Sequence, residues 1–293
     1  MIKPVDIILP KDLNDALAIL SEKDAGIQII AGGTDVVPGL AQESNRFKNA
    51  RLLVDINKIK ELKEITIENG VVSIGAGETF SNILDNPVIK AYFPLLAKAC
   101  GTIGSVQIRN RATIAGNFVN NAPCADSVPV LLVYDASLII ESSGAKREIL
   151  LGDFLSGPYK TQLKENEIVT RITIPVPAKQ FAGDFYKLGR RRAVAISRIT
   201  LALLLSIKES KIDEIRIASG AVTPIGTRFT ELENSFTGKN IYEVTLKNLS
   251  ADLGRNIIKV TGLRWSSEYK LPVVQQVLYQ MLHNAVYGGG NDE

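Results

Sequence analysis

The chain has 293 residues, of which 45% are hydrophobic, 22% charged and 6% aromatic, with 23 glycines and 12 prolines. That profile excludes a disordered chain, a collagen-like repeat and a disulfide scaffold, and the length favours two domains over one. The 34 basic and 31 acidic residues leave a net charge of +3 with no long run of like charge, which argues against a nucleic-acid partner.

Two cysteines, Cys100 and Cys124, and one histidine, His283, cannot supply the four thiolates of an iron–sulfur cluster or the cage of a structural zinc site. Any redox chemistry here therefore needs an organic cofactor. With a single histidine, no Ser/His/Asp or Cys/His constellation can be assembled either. The N-terminus lacks a basic stretch followed by an apolar run and a cleavage site. No segment approaches the roughly 18 apolar residues of a membrane span, so a cytoplasmic protein without a membrane segment is expected.

In chain order, VDIIL at 5–9 reads as a short strand, and Lys11 to Lys23 places Leu13, Ala16, Leu17 and Leu20 at helical spacing. IQIIAGG and RLLVDI follow as strand patterns, so the first 57 residues read as a small β-α-β layer. LKEITI and VVSIGA flank Asn69-Gly70, a strong hairpin signal. A helix is expected around Phe93 to Cys100. The Gly-rich stretch CGTIGSVQIRNRATIAGNFVNNAPCADSVP then shows little amphipathic pattern, so something other than a hydrophobic stripe must hold it, and a bound ligand is one such organiser.

VPVLLVYDA reads as a buried helix, SLIIES and KREILL as strands, and EIVTRITIPVP as a strand ended by Pro175 and Pro177, the expected domain boundary. Beyond it come three strands, DFYKLG, ITLALLLSIKES and IDEIRIASGAV. Helices near Ile241 to Val260 and Ser266 to Val286 complete an α+β unit with strands first and helices last, and GGGNDE reads as a frayed end.

Two small-residue loops are the candidate binding elements. Ala31-Gly32-Gly33-Thr34-Asp35 follows a strand and precedes a short helix, so its N–H groups can converge on an anion such as a pyrophosphate; a tight turn is the plainer reading. It is neither G-x-G-x-x-G nor a Walker loop. Thr113-Ile114-Ala115-Gly116-Asn117 is expected to expose backbone donors, with side-chain hydrogen bonds from Thr113 and Asn117 and an acceptor at Asp126 for ribityl or ribose hydroxyls. Two such loops from separate layers suit a dinucleotide lying between them. Arg109 and Arg111 flank the second loop. Lys187, Arg190, Arg191 and Arg192 form a basic cluster that could neutralise a phosphate or dock a partner, or simply be a solvated strand edge and turn. His283 reads as a partly buried helix residue and Cys124 as a bystander.

IIAGGTDVVPGL, TIGSVQIRNRATIAGNFVNNAPCADSVPVLLVYDA and FYKLGRRRAVAISRI, in that order, resemble the FAD-binding (medium) subunit of the xanthine dehydrogenase family of molybdenum hydroxylases. The resemblance covers essentially the whole chain. It implies a two-part vanillyl-alcohol-oxidase-like (PCMH-type) FAD-binding domain over 1–176, with subdomains of about 1–57 and 58–176, and a C-terminal α+β domain of the CO dehydrogenase flavoprotein type over 177–290.

By the same resemblance, Ile29, Ile30, Ala31, Gly32, Gly33, Thr34, Asp35 and Val36 hold the FAD pyrophosphate, and Ile103 lies at the isoalloxazine or its approach. Thr113, Ile114, Ala115, Gly116 and Asn117 wrap the other side, Asp126 binds a polar part of FAD, and Val169 and Lys187 close the site. Many members have Gly where this chain has Ala115. The low cysteine count departs from the 4-hydroxybenzoyl-CoA reductase branch, whose flavin subunit carries an extra iron–sulfur cluster.

The implied role is electron transfer. A molybdopterin-binding large subunit oxidises substrate, a [2Fe-2S] small subunit relays single electrons, and FAD passes them to NAD+, in a heterotrimer or its dimer. The alternatives are a CO, aldehyde or N-heterocycle dehydrogenase subunit feeding a quinone or other carrier, or a non-redox phosphate-binding scaffold. No catalytic side chain and no metal site are expected on this chain.

Overall fold

The computed structural model describes residues 5–22, 26–191 and 194–288. Lys23, Arg192 and the last five residues of the expected frayed tail lie outside the described residues. The first layer contains β1 (Asp6–Ile8), α1 (Leu13–Leu20), β2 (Ile27–Ile30), α2 (Val36–Ala41) and β3 (Leu52–Asp55). Its three strands pair in parallel in the order β1-β3-β2, which is the β-α-β layer expected from the pattern. The Asp12 carboxylate caps α1 at the Asp15 N–H, and Ala16, Leu17 and Leu20 pack on Val54 and Ile59.

The second layer is an antiparallel sheet in the order β4-β5-β10-β6-β7, built from β4 (Ile65–Glu68), β5 (Val71–Gly75), β6 (Ser137–Ser142), β7 (Ala145–Leu150) and β10 (Ile168–Pro175). Asn69 and Gly70 both have positive φ, 50° and 75°, as a two-residue hairpin turn requires. Between β5 and β6 run α3 (Phe80–Asp85), α4 (Pro87–Tyr92), α5 (Pro94–Thr102), α6 (Val106–Arg109), α7 (Ile114–Asn120) and α8 (Ser127–Val133). After β7 come α9 (Leu151–Phe154) and the small hairpin of β8 (Leu155–Gly157) and β9 (Lys160–Thr161).

The stretch from Cys100 to Pro129, expected to be held by something other than an amphipathic stripe, has organisers of its own within the protein. Much of that stretch is short helix, held by local caps and core contacts. Ser105 Oγ accepts from the Ile108 N–H and Thr113 Oγ1 from the Gly116 N–H. Ile114, Ala115 and Phe118 are buried, and Phe118 meets Phe154 edge-on at 6.1 Å between centroids. The helices are too short to display a stripe, so periodicity could not reveal them.

The third layer is an antiparallel sheet of β11 (Ala182–Gly189), β12 (Ser197–Lys208), β13 (Lys211–Gly220) and β14 (Thr227–Arg228), in that order. α10 (Thr230–Phe236), α11 (Glu243–Thr261) and α12 (Ser267–Tyr287) follow, so strands do precede helices. One face of this sheet, through Leu201, Leu203 and Ile217, packs on the helices in a separate core. The other face sends Phe185, Ala202, Leu204 and Ala218 into the core of the second layer.

Helix α8, buried at every residue, lies in that seam. Cations from the third layer close over its C-terminal end. Arg216 donates to the Val133 carbonyl at 3.0 Å and pairs with Asp135 at 2.6 Å, and Arg228 also pairs with Asp135. These groups satisfy carbonyls that a helix end leaves without partners.

Candidate functional site

The strand β2 ends at Ile30, whose carbonyl accepts from the Ile56 N–H, and the chain turns through Ala31, Gly32, Gly33, Thr34 and Asp35 into α2. Ile29 and Ala31 pack on the first-layer core, which anchors the loop from below. Gly33 has φ +75°, a left-handed conformation of the kind that lets successive N–H groups converge on an anion. The Gly33 carbonyl accepts from Val37, closing the first turn of α2, which Val36 begins. Among the described residues, no acceptor receives the N–H of Gly32, Gly33, Thr34 or Asp35. Four consecutive donors of this kind, on the half-exposed Gly32, Gly33 and Thr34 and the exposed Asp35, suit an anion.

Gly32 presses on the segment before the second loop. A Cβ at this position would overlap the Arg111 carbonyl oxygen, so the two loops meet backbone to backbone. The structure therefore brings the two candidate loops together, but their chemistry differs. The expectation that the second loop exposes backbone donors is corrected. The Ile114 N–H donates to Glu78 O, Ala115 to Ala76 O, Gly116 to Thr113 Oγ1 and Asn117 to Thr113 O. The loop is a capped helix start, so the amides of Ile114 to Asn117 are engaged within the protein. Asn117 Oδ1 accepts from Ser127 Oγ at 2.7 Å, which leaves the Asn117 Nδ2 donors without an acceptor among the described residues.

Asp126 stands just before α8, and its two oxygens are held from the third layer. Lys187 Nζ lies 2.6 Å from Oδ2, and Ser197 Oγ donates to Oδ1. Lys187 also donates to the Thr102 carbonyl at 2.8 Å, at the end of α5 and beside Ile103. Ile103 is buried, and its carbonyl accepts from Arg109 Nη1 at 3.0 Å. Arg109 Nε is buried without a hydrogen-bond partner among the described residues. Burial raises the pKa of Asp126 although Lys187 and the hydrogen bonds from Lys187 and Ser197 act in the opposite direction.

Ser197 and the Thr102 carbonyl were not anticipated as part of this cluster. Ser197 lies inside the third motif, but its contact with Asp126 spans 71 positions and no local pattern reports it. Val169 sits in β10 opposite Ile140, buried in the core next to a register shift. The Thr170 carbonyl after it accepts from Ala76, whose own carbonyl receives the Ala115 N–H.

The basic cluster divides. Lys187 points inward to Asp126, whereas Arg190 and Arg191 are exposed. Arg111 is exposed as well. Burial first, then the negative charges of Asp126 and Asp35, push the Cys124 thiol up, so this cysteine is a poor nucleophile. His283 is exposed rather than partly buried, packed between Tyr279 and Tyr287 on α12 at 6.1 and 4.8 Å. Among the described residues no group of three or more His, Cys, Asp or Glu is placed to hold a metal ion, and no helix is long and apolar enough to cross a membrane.

Comparison with known proteins agrees with this architecture. Residues 3–177 match the FAD binding domain in molybdopterin dehydrogenase, and residues 184–285 the CO dehydrogenase flavoprotein C-terminal domain. The chain is 30% identical over 280 residues to the xanthine dehydrogenase FAD-binding subunit of Escherichia coli O157:H7, covering 95% of this chain and 94% of that one. It is 30% identical over 298 residues to the nicotinate dehydrogenase FAD-subunit of Eubacterium barkeri, covering 99% and 100%. The carbon monoxide dehydrogenase structure from Hydrogenophaga pseudoflava aligns at 28% identity with a TM-score of 0.89, over 98% of this chain and 99% of that chain. A FAD-binding domain followed by a flavoprotein C-terminal domain, over the full length of such relatives, makes this chain a member of the molybdopterin dehydrogenase FAD-binding family and an FAD-binding medium subunit of the molybdenum hydroxylases.

Proposed function

We propose that this chain is the electron-transfer subunit of a xanthine or purine dehydrogenase-like hydroxylase, in which electrons leave the [2Fe-2S] centres of a small partner subunit and reach NAD+. Its partners are that small subunit and a molybdopterin-binding large subunit that carries the hydroxylation, in a cytoplasmic heterotrimer or its dimer. FAD, when bound, supplies the conversion between single-electron and hydride transfer.

The observation that carries the FAD-binding part of this reading is the run of N–H groups from Gly32 to Asp35, unaccepted among the described residues, on a loop seated against Arg111. Gly32, Gly33, Thr34 and Asp35 hold the FAD pyrophosphate through these donors, with Ile29, Ile30, Ala31 and Val36 fixing the strand end and helix start. Thr113, Ile114, Ala115 and Gly116 shape the facing wall through a capped, small-residue backbone, and Asn117 adds a side-chain amide. Ile103 forms an apolar wall toward the isoalloxazine. Asp126 and Lys187 present a paired charge to a polar part of the cofactor and tie the second domain to the first, while Val169 fills the core behind them. No proton-transfer side chain is required, and the domain boundary falls at Pro175 to Pro177.

The fit to a carbon monoxide dehydrogenase fold favours one second reading. In it the same site serves a CO, aldehyde or N-heterocycle dehydrogenase that uses a quinone or another carrier. An anaerobic NADH titration of the complex, purified through a tag on this chain, decides between them. Bleaching of the flavin bands supports the NAD-linked reading. A flavin that NADH leaves oxidised moves the assignment to the carrier-linked one.

A further inference from the structure

The turn between α11 and α12 carries the chain's single tryptophan, Trp265, at 89% exposure, beside Leu263 at 79%. Apolar groups this large and this exposed are rarely clustered on a free surface, and Trp with Arg is the pair most enriched where interfaces hold their energy. Arg198 Cζ lies 5.6 Å from the ring centroid of Tyr269, on the first turns of α12, which brings the loop before β12 alongside this turn. That loop adds Ile196, 78% exposed, and Val194.

The charge of the patch is one-sided. Arg190, Arg191, Arg198, Arg264 and Lys270 lie in the segments 190–198 and 262–270, against one carboxylate, Glu268. Residues 192 and 193 are outside the described ones. A cleft lined by Arg264, Ser266, Ser267 and Lys270, floored by Val222 and Val274, opens between the turn and the end of β13. Burial, then the charges of Arg198 and Arg264, lowers the pKa of Lys270, which shares the cleft lining with Arg264.

The patch also connects to the candidate cofactor site. Lys270 Nζ donates to the Ala221 carbonyl at 2.7 Å, and the Ala221 N–H donates to the Pro123 carbonyl at 2.8 Å, three residues before Asp126.

We propose that Leu263, Arg264, Trp265 and Tyr269, with Ile196 and Arg198, dock an acidic face of the small [2Fe-2S] partner subunit, the one that must sit near the cofactor site to which Lys270 and Ala221 tie this patch. The partner's carboxylates pair with Arg198 and Arg264, and an apolar recess takes Trp265. The inference rests on the heteromeric reading above and deepens it by naming the surface.

The test compares wild type, the double variant Arg264→Glu/Trp265→Ala, and Tyr242→Ala, an exposed control at the start of α11. Each is purified from the native host through a tag on this chain, and the large and small subunits are identified by mass and by molybdenum and iron content. The double variant is expected to lose the small subunit by about tenfold or more, with unchanged FAD content and melting temperature, while Tyr242→Ala keeps both; loss of the large subunit alone overturns the proposal. Wild-type ratios in the double variant overturn the surface assignment alone. Absence of molybdenum and iron from the wild-type preparation overturns the heteromeric reading and the surface with it. If the variant does not fold, hydroxyl-radical footprinting of wild type decides. Trp265 should be about fivefold or more protected in the complex relative to the isolated chain, and equal oxidation overturns the proposal.

Discussion

Gly32 has no room for a side chain, because the carbonyl oxygen of Arg111 occupies the place where its Cβ would stand. This contact sets the separation of the loop that follows β2 from the helix start at Thr113. Gly32→Ala is therefore expected to push the two loops apart, costing about 1–3 kcal/mol of stability and most of the FAD affinity. Thermal unfolding and the flavin-to-protein ratio measure the two effects, and a variant with normal flavin content contradicts the assignment.

Gly33 and Gly70 share a φ of +75° but differ in place, one in the candidate site and the other in the β4–β5 hairpin. Replacing either with Ala forces a Cβ into the left-handed region at about 1–2 kcal/mol. Only Gly33→Ala should lower FAD retention, because only Gly33 belongs to the loop proposed to hold the pyrophosphate; Gly33→Val should abolish it. Equal retention in the two Ala variants would remove the argument.

Thr113→Ala should destabilise by about 1 kcal/mol through loss of the cap on Gly116, whereas Thr113→Ser should retain it. A Cβ on Gly116 would stand 2.8 Å from Thr113 Oγ1 and disturb the same cap. The flavin losses of Thr113→Ala and Gly116→Ala should therefore run parallel, as read by FAD release during gel filtration. Gly116→Val adds two methyls to that collision and should empty the site.

Lys187→Ala leaves the buried Asp126 carboxylate without its cation and should cost about 3–5 kcal/mol in urea unfolding. The pH dependence has a definite sign. Burial raises the Asp126 pKa above 3.8, so the folded state keeps this proton to a higher pH than the unfolded chain does. Its contribution to stability is full below the unfolded pKa and declines as pH rises through the raised value. Glu167 acts oppositely. Hydrogen bonds from Arg147, at 2.8 and 2.7 Å, hold its carboxyl below 4.5, so its contribution is present above the unfolded pKa and is lost as pH falls. Unfolding free energies between about pH 3 and 7, compared with Asp126→Asn and Glu167→Gln, should shift with opposite slopes.

What the sequence revealed was local. Asn69-Gly70 announced its hairpin because both positions need positive φ, and Gly32-Gly33 announced a turn able to present amides. The start of α4, with an Asx cap from Asn86 on Val88 and Ile89 followed by Pro87 at the first helical position, was not read from the sequence, because a six-residue helix shows no periodicity. The engagement of the Ile114 to Asn117 amides was not legible, since it depends on Ala76 and Glu78 from another segment. The same holds for Asp126, which the motif resemblance placed at the site but whose partners Lys187 and Ser197 come from the other side of the domain seam. Arg216 and Arg228 gave no signal at all, because their meaning depends on Asp135 and the end of α8.

The amount of FAD per chain in the native complex tests the central claim most directly. Extraction and chromatography of the tagged wild-type complex should return about one FAD per chain, as expected for a single pyrophosphate cradle built by one loop, and far less from Gly32→Ala. An intact complex that contains molybdenum and iron but no flavin would contradict the account.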